Sequence, residues 1–109
     1  MHKSLPRPEY FEAKIQLRPR NQEIEDFIIK SVAARPGVYI TKADVIKTGI
    51  DFYITSQRYA RSLGAILKRK FDGELTITRT IFGRHRQSSR VRYRGTVLFR
   101  VKEPEQPEA

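Results

Sequence analysis

Between Leu75 and Lys102 the chain holds Arg79, Arg84, Arg86, Arg90, Arg92, Arg94, Arg100 and Lys102 and not one carboxylate. A run of that density repels itself unless a polyanion neutralises it, and the flat donor fork of arginine suits phosphate and stacks on bases. From Arg90 onward the residues alternate. Val91, Tyr93, Gly95, Val97, Phe99 and Val101 fall on one side, and Arg90, Arg92, Arg94, Thr96, Leu98, Arg100 and Lys102 on the other. A strand with that beat becomes a charged surface whose cations lie about 7 Å apart or in multiples of it, close to the phosphate spacing of a nucleic acid strand. The plainer alternative is a solvated edge guarded against aggregation, but guarding charge is usually mixed in sign and this charge is all positive. Arg84, Arg86, Arg90, Arg92, Arg94 and Arg100 are therefore expected to contact phosphate. Arg58 and Arg61, on a helix face that could equally be an ordinary solvated surface, are the secondary candidates.

Other chemistry finds little to work with. His2 lies near the start and His85 stands among arginines, which disfavour both its protonated form and a bound metal. Asp44, Asp51 and Asp72 are scattered, and no Ser/His/Asp arrangement or metal-ligand cluster can be drawn. The loop Gly83 to Arg90 lacks the Gly-Lys-Ser/Thr ending of a phosphate-binding P-loop. Tyr39, Tyr53 and Phe82 could offer rings to bases, although strand aromatics more often serve the core. The expectation is a non-catalytic protein with no cofactor and no metal.

The elements that would position the arginines follow from periodicity. Phe11 to Arg18 alternates, with Phe11, Ala13, Ile15 and Leu17 on the buried side, and Pro19 closes that strand. Asn21 offers an N-cap to a helix with Glu23, Glu25 and Asp26 in its first turns; Ile24, Phe27, Ile28 and Val32 form its buried stripe, and Pro36-Gly37 ends it. Val38 to Ile46 is β-branched with a possible bulge near Lys42, Ala43 and Asp44. Lys47-Thr48-Gly49 turns into a strand over Ile50 to Ile54. Ser56 caps a second helix with Tyr59, Leu63, Ile66 and Leu67 at helical spacing and Arg58, Arg61, Lys68 and Arg69 opposite. Leu75 to Phe82 is a strand, Gly83 to Ser89 a basic hairpin loop, and Arg90 to Lys102 the last strand. The order βαββαββ predicts a two-layer α+β domain with two helices on one face of a mainly antiparallel sheet, leaving the other face to solvent or a partner.

At 109 residues there is room for one domain, expected at 9–102, with a polar Pro-containing leader at 1–8 and an acidic Pro-rich tail at 103–109. The 39% hydrophobic share is too high for a disordered chain. The net charge of +10 is concentrated: residues 56–102 carry thirteen Lys/Arg against two Asp/Glu, whereas residues 1–55 carry nine against seven. With no cysteine there is no disulfide, thiolate nucleophile or zinc ribbon in this stretch. No apolar run approaches the roughly 20 residues of a membrane span. A monomeric cytoplasmic protein is the expectation, with no membrane partner.

Gly49-Ile50-Asp51-Phe52-Tyr53-Ile54-Thr55-Ser56-Gln57-Arg58-Tyr59-Ala60, followed by Leu63, Leu67, Lys68 and Phe71, resembles the G-[IL]-D-F-Y-F-[AS]-S-R stretch and following helix of the large-ribosomal-subunit export adaptors called nonsense-mediated decay protein three. Phe11 to Arg20 is similar to the family's V-Q-L-R-[PQ] strand, and Arg79 to Val101 to its basic hairpin, with Tyr93, Arg94 and Thr96 at matching places. The resemblance covers nearly all of residues 10–102. It implies an adaptor that binds the joining face of the large subunit through rRNA, with ribosomal proteins as further contacts. Its action would fall in late assembly and, in eukaryotes, nuclear export, with shuttling between nucleus and cytoplasm. The basic, short sequence suits an archaeal-like version. Family members carry zinc-binding cysteine pairs before this region, and this chain has none. Two other readings stay open: a module that binds a ribosomal protein or assembly factor, and a general nucleic-acid-binding protein.

Overall fold

The structure is a computed structural model and describes residues 10–84 and 91–102. The leader at 1–8, the tail at 103–109, Arg86 and Arg90 lie outside the described residues. Seven elements follow in order: β1 (Ala13–Arg18), α1 (Gln22–Ala34), β2 (Ile40–Ile46), β3 (Gly49–Ile54), α2 (Gln57–Lys70), β4 (Gly73–Arg84) and β5 (Val91–Val101). This is the expected βαββαββ order in an α+β domain. The sheet runs β2-β3-β1-β5-β4. Every neighbouring pair is antiparallel except β1 and β5, which run parallel at its centre.

The period of two decides what the sheet buries. Ala13, Ile15 and Leu17 of β1, Ile50, Phe52 and Ile54 of β3, and Val97 and Phe99 of β5 all point to one side and are buried. Opposite them lie Ile24, Ile28 and Val32 of α1 and Ala60, Leu63 and Leu67 of α2. Gly64 brings α2 close to the sheet, since a Cβ there would sit 2.7 Å from Val97 Cγ1. Removing these side chains from water supplies the main driving force for the fold, at roughly 25 cal/mol per Å² of apolar surface.

Both helices begin where the caps predict. Asn21 Oδ1 accepts the Ile24 amide at 3.1 Å, and Ser56 Oγ accepts the Tyr59 amide at 3.1 Å. Glu25 is buried at the first turn of α1, where it takes the Arg20 guanidinium at 2.7 Å and the Asn21 amide at 3.1 Å. That bond and the nearby charge hold the Arg20 pKa above its ordinary value. The Tyr59 hydroxyl donates to the Ser31 carbonyl at 2.9 Å and ties α2 to α1; burial pushes its pKa up, against the lowering effect of Arg35.

Three sequence expectations need correction. Phe11 is not part of the buried core, because the ladder begins at Ala13 and the chain bends just before it. Phe11 instead packs edge-to-face on Tyr53, ring centres 4.8 Å apart. The second strand starts at Ile40, and its bulge falls between Ile40 and Lys42, a little earlier than the polar centre suggests. In α2, Ile66 is only half-buried, and the small residues Ala60 and Gly64 complete the packed stripe.

Candidate nucleic-acid interface

Register converts the strands into a map of the face that the helices leave open. One row across the sheet reads Lys42, Tyr53, Lys14, Thr96 and Thr78. The next reads Asp44, Asp51, Gln16, Leu98 and Thr76, and the one after it Ile46, Gly49, Arg18, Arg100 and Glu74. Arg94 pairs with Thr80 at the hairpin end of the same face. Five cations therefore share this face with Asp44, Asp51 and Glu74, so its charge is positive without being purely so.

At one end the cations gather around two rings. Lys14 Nζ and Lys42 Nζ lie 5.2 and 5.4 Å from the Tyr53 ring centre, and the Arg94 guanidinium lies 3.9 Å from that of Phe11. Arg94 Nε also donates to the Phe11 carbonyl at 3.2 Å. Contacts of cations with ring faces contribute about 0.5–1 kcal/mol each at exposed sites, and they keep positive charge beside an aromatic surface. Stacked bases and phosphates use that same combination when single-stranded RNA binds protein.

At the other end Arg18 and Arg100 stand side by side and, with Gln16 and Leu98, line an open groove. Arg18 is engaged within the fold: its Nη2 meets Asp51 Oδ1 at 2.6 Å, and its Nη1 reaches the Leu17 and Ile50 carbonyls at 3.0 and 3.2 Å. Arg100 is exposed and makes no ion pair among the described residues. Asp51→Ala strands a guanidinium that is only 15% exposed, and the expected cost is about 2–4 kcal/mol, read as a shift in urea midpoint. Loss below about 0.5 kcal/mol would mean that water replaces the carboxylate freely.

The expected site residues divide among several places. Arg94 and Arg100 share the open face. Arg84 and Arg92 lie on the hairpin strands, where Arg84 pairs with Val91 and Arg92 with Gly83. Arg58 and Arg61 are exposed on α2, in the helical layer on the far side of the sheet, so the structure does not bring them to Arg94 and Arg100. Sequence reasoning missed Lys14 and Lys42, which flank Tyr53 from two different strands; the signal was present only as a lysine facing outward in each. Among the described residues no group of three or more His, Asp and Glu could hold a metal ion, and no helix is long and apolar enough to cross a membrane.

The Gly49 to Ser56 stretch has a structural reason at every position. Gly49 lets the Arg18 side chain cross β3, Asp51 holds it, Ile50, Phe52 and Ile54 fill the core, and Tyr53 faces out between the lysines. Thr55 Oγ1 accepts the Tyr39 amide at 3.0 Å and Ser56 caps α2, whose first amide, that of Gln57, is also taken by Glu12 at 3.0 Å. The domain so defined is a two-layer α+β module with one basic, aromatic-bearing sheet face uncovered. The family model for the second domain of NMD3 matches residues 10–101, and the chain belongs to the NMD3 family. The resemblance of the Gly-Ile-Asp-Phe-Tyr stretch thus stands on the match to nearly the whole folded region. A search of curated proteins found no match.

Proposed function

We propose that the domain is a non-catalytic module that docks on the large ribosomal subunit, with its open sheet face against rRNA, in the assembly or export role that the NMD3 family carries. The observation that supports this most is the row Lys42–Tyr53–Lys14 with Arg94 and Arg100 on the same uncovered face. Arg84, Arg86, Arg90 and Arg92 belong to the same reading as phosphate contacts. Work in the cytoplasm, an archaeal-like setting, a monomeric state and contacts to ribosomal proteins complete the proposal.

The test is co-sedimentation of the purified chain with separated ribosomal subunits, followed by titration with large-subunit rRNA over a range of salt. Preference for the large subunit is expected. If about four to six phosphates are neutralised, log K falls against log salt with a slope of roughly −3 to −5. A flat salt profile, or equal binding to duplex DNA, would overturn the ribosomal reading.

A further inference from the structure

β4 is an outermost strand, and register shows what its free edge offers. The Gly95 amide donates to the Glu12 carbonyl at 2.8 Å, so Gly95, Val97 and Phe99 turn their backbone groups toward β1. The alternate residues of β5 bond to β4, as the Lys102 amide does at 3.0 Å to the Asp72 carbonyl just before the strand. Through the pairs Leu75 with Phe99, Ile77 with Val97 and Arg79 with Gly95, the N–H and C=O groups of Leu75, Ile77 and Arg79 point outward, away from the sheet. Among the described residues no strand pairs with them, and they form a ladder about 14 Å long.

The two edges of this sheet are not guarded alike. β2 carries a bulge and two charges of opposite sign, Lys42 and Asp44, which are ordinary defences against another strand. From Leu75 to Ile81, β4 runs in unbroken register with no Pro, no Gly, five β-branched residues and one charge. Ile77 is 43% exposed and Ile81 65%. Both stand on the helix side, where Ile81 lies opposite Tyr93 and Ile77 opposite Val97, and the Tyr93 ring lies 4.7 Å under the Arg79 guanidinium. Arg61 occupies the same side of α2 as Gln57 and Lys68, which bond to the carbonyls of Tyr93 and Gly73 on this hairpin. On the open side, one strand in, stand Arg100 and Arg94, the latter turned onto the Phe11 ring, and among the described residues Glu74 is the one carboxylate that β4 and β5 place on that side.

From this we infer that the free edge of β4 is a strand-addition site for an extended segment of a partner protein in which β-branched apolar residues alternate with acidic ones. Its backbone continues the sheet, its apolar side chains cover Ile77 and Ile81, and its carboxylates lie on the open side, toward Arg100. A nucleic acid backbone lacks the alternating N–H and C=O that this edge matches. A second copy of the chain would set Arg79 and Arg61 against their own kind. The inference does not rest on RNA binding, which uses the open face.

A fluorescein-labelled Glu-Val octapeptide of strict alternation serves as probe, with its Lys-Val counterpart as control. Saturating Glu-Val peptide is expected to slow hydrogen exchange at the Leu75, Ile77 and Arg79 amides at least tenfold and to leave Thr76 and Thr78, already bonded to β5, unchanged. Ile77→Pro removes an outward N–H and no bond to β5, a place where an edge strand tolerates proline. It is expected to weaken the peptide at least tenfold and to keep rRNA affinity within twofold. The exchange measurement on the unaltered chain decides the matter even if that variant folds poorly. Unchanged exchange at Ile77 and Arg79, equal binding of the Lys-Val peptide, or protection that grows with protein concentration alone would each overturn the inference.

Discussion

Replacing Lys14, Lys42 and Arg100 together by glutamine is expected to lower affinity for large-subunit rRNA by about a hundredfold near 0.1 M salt and to flatten the salt slope by roughly 2 to 3. The three cations come from β1, β2 and β5 and share one face. None makes an ion pair among the described residues, so their charge is available to a polyanion. The fold should survive, because the variant gives up only two contacts with the Tyr53 ring, about 0.5–1 kcal/mol each. Arg94 is left in place because it stacks on Phe11 and bonds its carbonyl, so its removal would mix a structural loss with a binding one. The matching control is Arg58→Gln with Arg61→Gln on the helical layer, where affinity should stay within about twofold of the starting protein. Fluorescence anisotropy with rRNA at several salt concentrations reads both. Affinity within threefold of the parent after the triple change would remove the open face from the binding surface.

Much of this arrangement is legible in the sequence because it depends on local rules. The period of two in β5 places Val97 and Phe99 in the core and Arg100 outside, and Asn21 and Ser56 announce the two helices that they do cap. What the sequence leaves unread depends on which strands meet. The parallel pairing of β1 with β5 joins residues more than eighty positions apart, and no local pattern specifies it. The environment of Arg94 is a consequence: alternation turns it outward, but its stack on Phe11 exists only because those two strands are neighbours. The same holds for Lys14 and Lys42, which become one feature when β3 lies between β1 and β2. Arg58 and Arg61 show the opposite case. Their helical spacing is plain, but the layer they face is a tertiary fact.

Gly49→Ala is expected to cost the domain about 3–5 kcal/mol, a large part of the 5–15 kcal/mol that keeps a typical domain folded. The reason lies in how closely β3 passes β1 at this point. A Cβ on Gly49 would fall on the Leu17 carbonyl oxygen, and Arg18 Cδ and Nη1 would lie 2.8 and 3.0 Å away. A side chain could swing aside, but the carbonyl belongs to the backbone of a central strand and moves only if the ladder between β1 and β3 opens. The displacement would also carry Arg18 away from Asp51 and from the Ile50 carbonyl, so overpacking and a broken ion pair act together. Gly64→Ala makes a useful contrast, because the atom that its Cβ meets at 2.7 Å is a valine methyl and helix propensity gains about 1 kcal/mol in return. Urea denaturation at an unchanged m-value measures the loss at Gly49. A midpoint shift equivalent to less than about 1 kcal/mol would mean that the strand crossing yields, and glycine at the head of the Asp-Phe-Tyr stretch would then need a reason other than backbone approach.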